Sequence, residues 1–231
     1  MSNKTNNRIA LSIAAALSLG LAAAPASATV IPVVVTNNTG FTVSNSDLLH
    51  GLAGVVVGNI NSEEGLQSNN TGSAFTDGLF GRVAIDGAAK PGMTIIHNGV
   101  SITYMLASSA LGFNIAKIDT FTGWRDPGHF QQDYSISFAY KTAPSQFLNA
   151  INVAARPTGV NDAKVSLFNV GGAALATGVV GVRFNFANVQ NGFVGYRELD
   201  VLGSAVVPEP ASMLLFGLGA LALVGARRLR K

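Results

Sequence analysis

Apolar residues recur at every second position in short runs, and this spacing constrains the fold of the 231-residue chain more than any other feature. Val100, Ile102, Tyr104 and Leu106 form one such set; Tyr134, Ile136, Phe138 and Tyr140 form another; Val182, Phe184 and Phe186 a third. A period of two with one apolar face is the mark of a half-buried strand. Further strand-like runs occupy Val30–Thr36, Met93–His97, Phe113–Thr120, Phe147–Ala154, Lys164–Val170 and Val194–Leu202. Asn98-Gly99, Asp126-Pro127-Gly128, Thr158-Gly159 and Asn191-Gly192 punctuate them as turns. No helical period persists for four turns, and only Ser46–Val57 is expected to hold a short helix. About nine strands without crossover helices make an all-β protein, an antiparallel β-sandwich.

The two ends of the chain are of another kind. Lys4 and Arg8 precede an uncharged run, Ile9 to Ala24, and then the helix-breaking Pro25. Ala26-Ser27-Ala28 supplies the small-x-small site of a signal peptidase, so residues 1–28 read as a signal peptide and the mature chain begins at Thr29. At the other end Pro208-Glu209-Pro210 leads into sixteen residues, Ala211 to Ala226, without charge. At about 1.5 Å per residue these cover ~24 Å, close to a bilayer core of ~30 Å. Arg227, Arg228, Arg230 and Lys231 then form a basic stop, expected on the cytoplasmic side. The domain plan is therefore a signal peptide over 1–28, a sandwich over 29–203, a linker over 204–207 and a C-terminal segment over 208–231. Its residues 211–226 are a transmembrane helix.

Removing these ends changes what the charge means. The whole chain is formally +3. The 179 residues between Thr29 and Val207 carry nine Lys/Arg against eleven Asp/Glu, a net −2. The basic balance belongs to the end segments and gives no ground for nucleic-acid binding. The absence of cysteine excludes thiol nucleophiles, zinc–cysteine sites and disulfides, so the body stands on its apolar core.

Pro208-Glu209-Pro210, the apolar span and the terminal arginine cluster resemble the PEP-CTERM sorting signal. The resemblance implies a Gram-negative bacterium, Sec export, transient inner-membrane anchoring and processing by an exosortase. Release to the cell surface, outer envelope or extracellular matrix would follow. Physically, the two prolines hold the recognition segment extended beyond the helix.

The body has its own resemblance. Ala74-Phe75-Thr76-Asp77-Gly78-Leu79-Phe80-Gly81, the strand Val182–Phe186 and the stretch Gly195–Gly203 are similar to the entry and closing strands of galactose-binding, discoidin-like jelly rolls. That implies a jelly-roll module of a kind that often binds glycans and carries a structural Ca²⁺. Asp77 and Glu198 match the calcium positions. Otherwise Asp77 is a turn residue before Gly78, and Glu198 an ion-pair partner of Arg183 or Arg197. No other cofactor is implied.

Catalytic signatures are missing from the sequence: there is no Gly-x-Ser-x-Gly elbow, His-Glu-x-x-His helix or phosphate loop. His50, His97 and His129 stand apart in sequence, without metal-ligand spacing. Asp126 with Asp133, or Glu198 with Asp200, would be the acid pair of a glycosidase. Trp124, Arg125, Asp126 and His129 are the candidate glycan-binding residues, an aromatic face beside polar anchors at a turn. The alternative is a corner whose Trp124 packs into the core while Arg125 pairs with Asp126 or Asp133. The expectation is a non-enzymatic surface or matrix protein that contacts exopolysaccharide. A glycan-modifying enzyme and a self-assembling matrix protein are the rivals.

Overall fold

The computed structural model describes residues 30–37, 40–61, 72–81, 94–124, 128–157, 162–207 and 217. The signal-peptidase site Ala26 and Ala28, the sorting residues Pro208, Glu209 and Pro210, and the basic stop Arg227 to Lys231 lie outside the described residues. Arg125 and Asp126 do too.

Eleven strands form among the described residues, all of them paired antiparallel. They are β1 (Val30–Asn37), β2 (Val55–Val57), β3 (Ile60–Asn61), β4 (Thr94–His97), β5 (Ser101–Met105) and β6 (Phe113–Gly123). Then follow β7 (Gln132–Tyr140), β8 (Ala143–Ala155), β9 (Asp162–Asn169), β10 (Ala176–Phe186) and β11 (Phe193–Ala205). All nine alternating runs of the sequence are strands, and β2 and β3 are added to them. β2 replaces the short helix expected within Ser46–Val57. Gly51, at φ +72°, and Gly54 interrupt that stretch, and the β-branched Val55–Val57 pairs with β5.

One layer runs β2–β5–β10–β7–β8 and the other β3–β4–β11–β6–β9–β1. This is the antiparallel β-sandwich expected from the period of two, and it is the jelly roll that the resemblance implies. Tyr104, Tyr134, Ile136, Phe138, Phe184, Phe186, Tyr196 and Leu199 fill the space between the layers. Most of their ring pairs are tilted or edge-on, such as Phe186 and Tyr196 at 4.8 Å and 64°, while Phe184 and Phe186 lie near-parallel at 6.2 Å and 11°. The layers join at one corner, where Ala176 and Val179 of β10 pair with Ile115 and Phe113 of β6. Gly112 makes that corner. Its φ is +78°, and a Cβ there would meet the Gly178 carbonyl carbon at 2.5 Å.

The register gives the sandwich two distinct ends. At the first, Val30 pairs with Asn169, Ala205 with Phe113, and Tyr140 with Ala143. At the second, Gly123 pairs with Asp162, Phe193 with His97, and Gln132 with Ala155. β11 continues to Ala205, and the Val206 N–H donates to the Gly112 carbonyl at 2.9 Å. The sorting tail therefore leaves from the first end, and the loop holding Trp124 and His129 lies at the second.

Candidate functional site

The loop between β6 and β7 is fastened beneath by polar bonds that cross the sandwich. The Gln132 amide donates to the Thr120 carbonyl at 3.2 Å, to Thr122 Oγ1 at 3.1 Å and to the Ala163 carbonyl at 3.4 Å. Thr120 Oγ1 lies 2.5 Å from Gln132 Oε1 and 2.7 Å from the Tyr134 hydroxyl, and Thr122 donates to the Phe130 carbonyl. Every member is buried, so each polar atom depends on the others.

Above this network sits an aromatic corner. His129 stacks on Phe193 at 3.9 Å with planes 3° apart, and Trp124 meets Phe193 edge-on at 5.0 Å. Trp124 is only 4% exposed and packs with Ile95 and Phe193. Its place is the core corner of the alternative reading, and it offers no open face for a sugar ring. His129 is half-buried; its Nδ1–H donates to the Phe193 carbonyl at 3.0 Å, which fixes the tautomer, since a carbonyl only accepts. Asn191 Nδ2 donates to the Gly128 carbonyl at 3.0 Å, and Gln190 Oε1 accepts the amides of Phe130 and Gln131. Phe193, Asn191 and His97 thus join the corner, none of them singled out in the sequence as a binding residue. Asn191-Gly192 was legible only as a turn.

The outer face of the β6–β11 layer carries a second set of groups. Asp119, Glu198 and Asp200 lie there under two loops, one around Asp47 and one around Asp77. Four of these acids accept backbone amides. Asp47 Oδ1 accepts Leu49 N–H at 2.8 Å and Val201 N–H at 3.2 Å. Asp200 Oδ2 accepts Ser44 N–H at 2.8 Å, Glu198 Oε1 accepts Gly78 N–H at 3.0 Å, and Asp77 Oδ1 accepts Leu79 N–H at 2.9 Å. Asp119 is bonded to Ser166 and ion-paired with Lys117.

Asp47 Oδ2, Glu198 Oε2 and Asp200 Oδ1 are buried and have no hydrogen-bond partner among the described residues. Burial pushes the Glu198 carboxyl up to about 9, against the Gly78 amide and with help from Asp200, Asp77 and Asp47. Burial likewise raises Asp200 to about 7, with Asp47 and Asp119 adding to it. Asp47 and Asp77 are raised too, by burial first. Burial and mutual repulsion together make these acids hold their protons more tightly than free carboxyls do.

The structure brings together the two calcium-matched residues, Asp77 and Glu198. The ion pair offered for Glu198 does not form: Arg197 pairs with Asp162 at 2.9 Å, and Arg183 donates to Thr103 and lies over the Phe147 ring. Hard carboxylate oxygens without partners are the chemistry a Ca²⁺ ion accepts, though it needs six to eight oxygens. No three acids or histidines converge as a metal site among the described residues. Backbone carbonyls and water would have to complete the shell.

Residues 206–231 match the model of the PEP-CTERM protein-sorting motif. This marks the chain as an exported protein sorted to the cell surface. No curated protein matches the chain significantly. Among solved structures it is similar to the lectin domain of lectinolysin complexed with Lewis B antigen. That match has 10% identity, 71% of this chain and 100% of that one covered, and a TM-score of 0.46. It is also similar to a family 32 carbohydrate-binding module from C. perfringens in complex with galactose, at 11% identity, 64% and 97% coverage and TM-score 0.40. A fucose-binding module from Streptococcus pneumoniae matches at 8% identity, 72% and 97% coverage and TM-score 0.42.

Proposed function

We propose that this chain is a non-enzymatic surface protein whose sandwich is exported, tethered by its tail in the inner membrane, and released by an exosortase. Beyond the membrane it associates with exopolysaccharide through the end bearing His129 and Asn191. The observation that carries this reading is the junction. The sorting motif begins at residue 206, one residue after β11 ends at Ala205. The tail and the loop corner are therefore at opposite ends, and a tethered body turns that corner away from the membrane.

The acids that could serve a glycosidase have other work. Glu198 is fully buried beneath the 72–81 loop, and Asp133 is bound to Arg156 at 2.6 Å. Asp77 and Glu198 would hold a Ca²⁺ that neutralises the outer-face acids and fixes the two loops. Retention of the purified body on exopolysaccharide from a producing bacterium tests the binding. Failure to bind would leave a sorted scaffold without this ligand.

One observation favours the self-assembly reading as a second one. Among the described residues β1 pairs with β9 alone, and Ile31, Val33, Val34 and Val35 along it are exposed. An apolar edge strand is a template for another strand, although Pro32 withholds one N–H. Light scattering that grows with concentration, and that Val34→Lys abolishes, would establish this reading.

A further inference from the structure

We infer that the tail-side end of the sandwich rests on a lipid bilayer surface while the sorting segment is attached. This depends on the reading of residues 211–226 as a membrane span. Val206 is bonded to Gly112, and Ala211 opens the uncharged run, so four residues separate fixed body from hydrocarbon. The five Cα–Cα steps from Val206 to Ala211 reach at most about 17 Å, or ~15 Å in the polyproline geometry that Pro208 and Pro210 favour. The headgroup layer takes up about 5–8 Å of that distance. The end of the sandwich is thereby confined to within ~10 Å of the headgroups.

The surface so confined has the composition of an interfacial one. The connections there, 106–112, 141–142, 170–175 and 206–207, contain no acid, and Lys141 is their one charge. The connections 124–131 and 156–161 at the opposite end carry Arg125, Asp126, His129 and Arg156. Met105 is 49% exposed, Leu111 40%, Val170 64% and Val207 78%, all at the tail-side end. Lys141 Nζ donates to the Ser109 carbonyl at 3.2 Å, on the rim of a shallow cavity of about 230 Å³ between Met105 and Pro144. Apolar side chains around a single cation suit an anionic headgroup layer better than water. β1 also starts at this end, since Val30 pairs with Asn169, so a signal peptide still attached would insert beside the same surface.

The absence of native cysteine allows a direct test. Single cysteines at Leu111, Val170, Asn191 and Leu221 of the full chain are labelled with an environment-sensitive fluorophore. Each variant is reconstituted in phosphatidylethanolamine/phosphatidylglycerol vesicles carrying headgroup-level doxyl quenchers. Quenching at Leu111 and Val170 is expected at least threefold above that at Asn191, and Met105→Glu should reduce it at Val170. Equal quenching at Leu111, Val170 and Asn191, with Leu221 quenched, overturns the membrane-facing end and leaves the span intact. Leu221 unquenched overturns the span and, with it, this inference.

Discussion

Arg197 and Asp162 form an ion pair at 2.9 Å over Gly123, and their side chains are only 5% and 7% exposed. The arrangement needs a residue without a Cβ on β6, because a Cβ at Gly123 would stand 2.3 Å from both Arg197 Nε and Asp162 Oδ1. Arg197 also lies over the Phe80 ring at 4.8 Å and donates to the Gly81 carbonyl, so the pair anchors the 72–81 loop to the sheet.

Removing one partner of this pair takes away the charge that faces the other in a buried place. Arg197→Met should cost about 3–5 kcal/mol by weakening the compensation of the buried Asp162 carboxylate, and the double change with Asp162→Leu should recover part of that. Gly123→Ala should destabilise by a similar route while both charges remain. Urea unfolding with unchanged m-values would establish all three, and a cost below about 1 kcal/mol for Arg197→Met would show the pair to be unimportant.

Glu198 and Asp200 give stability an inverted pH dependence. Their folded values, about 9 and about 7, lie above the ordinary 4.5 and 3.8. The folded state therefore holds more protons than the unfolded one. The stabilisation is complete below about pH 4 and is lost as pH rises toward 7 for Asp200 and 9 for Glu198. In chelator, the melting temperature should fall between pH 5 and pH 8, on the order of 5 °C. Asp200→Asn should flatten the lower part of that fall. If Asp77 and Glu198 hold calcium, millimolar Ca²⁺ restores the melting temperature at pH 8 and does little at pH 5. Identical curves with calcium and with chelator would rule the ion out.

The strands were legible because burial between two sheets leaves a period of two in the sequence, and Tyr134 to Tyr140 keep it without a break. β2 and β3 were not, because three and two residues are too few to show a period. The Asp77–Glu198 proximity could be read only through resemblance, since Glu198 lies 120 positions from Gly78, the residue after Asp77, whose amide it accepts. Asp47 left a local trace, an Asp two residues before the amide that it caps, but nothing local shows that it also reaches Val201. Trp124 was ambiguous in sequence because an aromatic at a turn serves a core or a ligand equally well. Only the packing of Ile95 and Phe193 around it separates the two.

That packing predicts a division of labour at the corner. Trp124→Ala should cost roughly 3–5 kcal/mol of stability, as large buried aromatics do. Asn191→Ser keeps a side chain tolerant of its φ of 48° far less well than Asn191→Gly, so the glycine variant is the cleaner probe of binding. Asn191→Gly and His129→Ala should leave the fold cooperative and weaken retention on exopolysaccharide severalfold. Retention unchanged in both would move the glycan contact away from this end.

The exosortase segment should be dispensable for the fold, and the reason is the position of the last ladder pairs. Gly203, Ser204 and Ala205 pair with Ile115, Asn114 and Phe113, and Val206 adds its bond to Gly112. Among the described residues, Ala205 with Phe113 is the last ladder pair of β11. A chain ending at Val207 should melt within about 1 °C of the full chain in the same detergent. A chain ending at Leu202 should lose about 2–4 kcal/mol, from three backbone pairs and the exposure of Phe113. Mass spectrometry of protein secreted by a producing cell should then find a C-terminus between Val207 and Ala211. A body that unfolds on truncation at Val207 would mean that the tail is part of the globule rather than a detachable address.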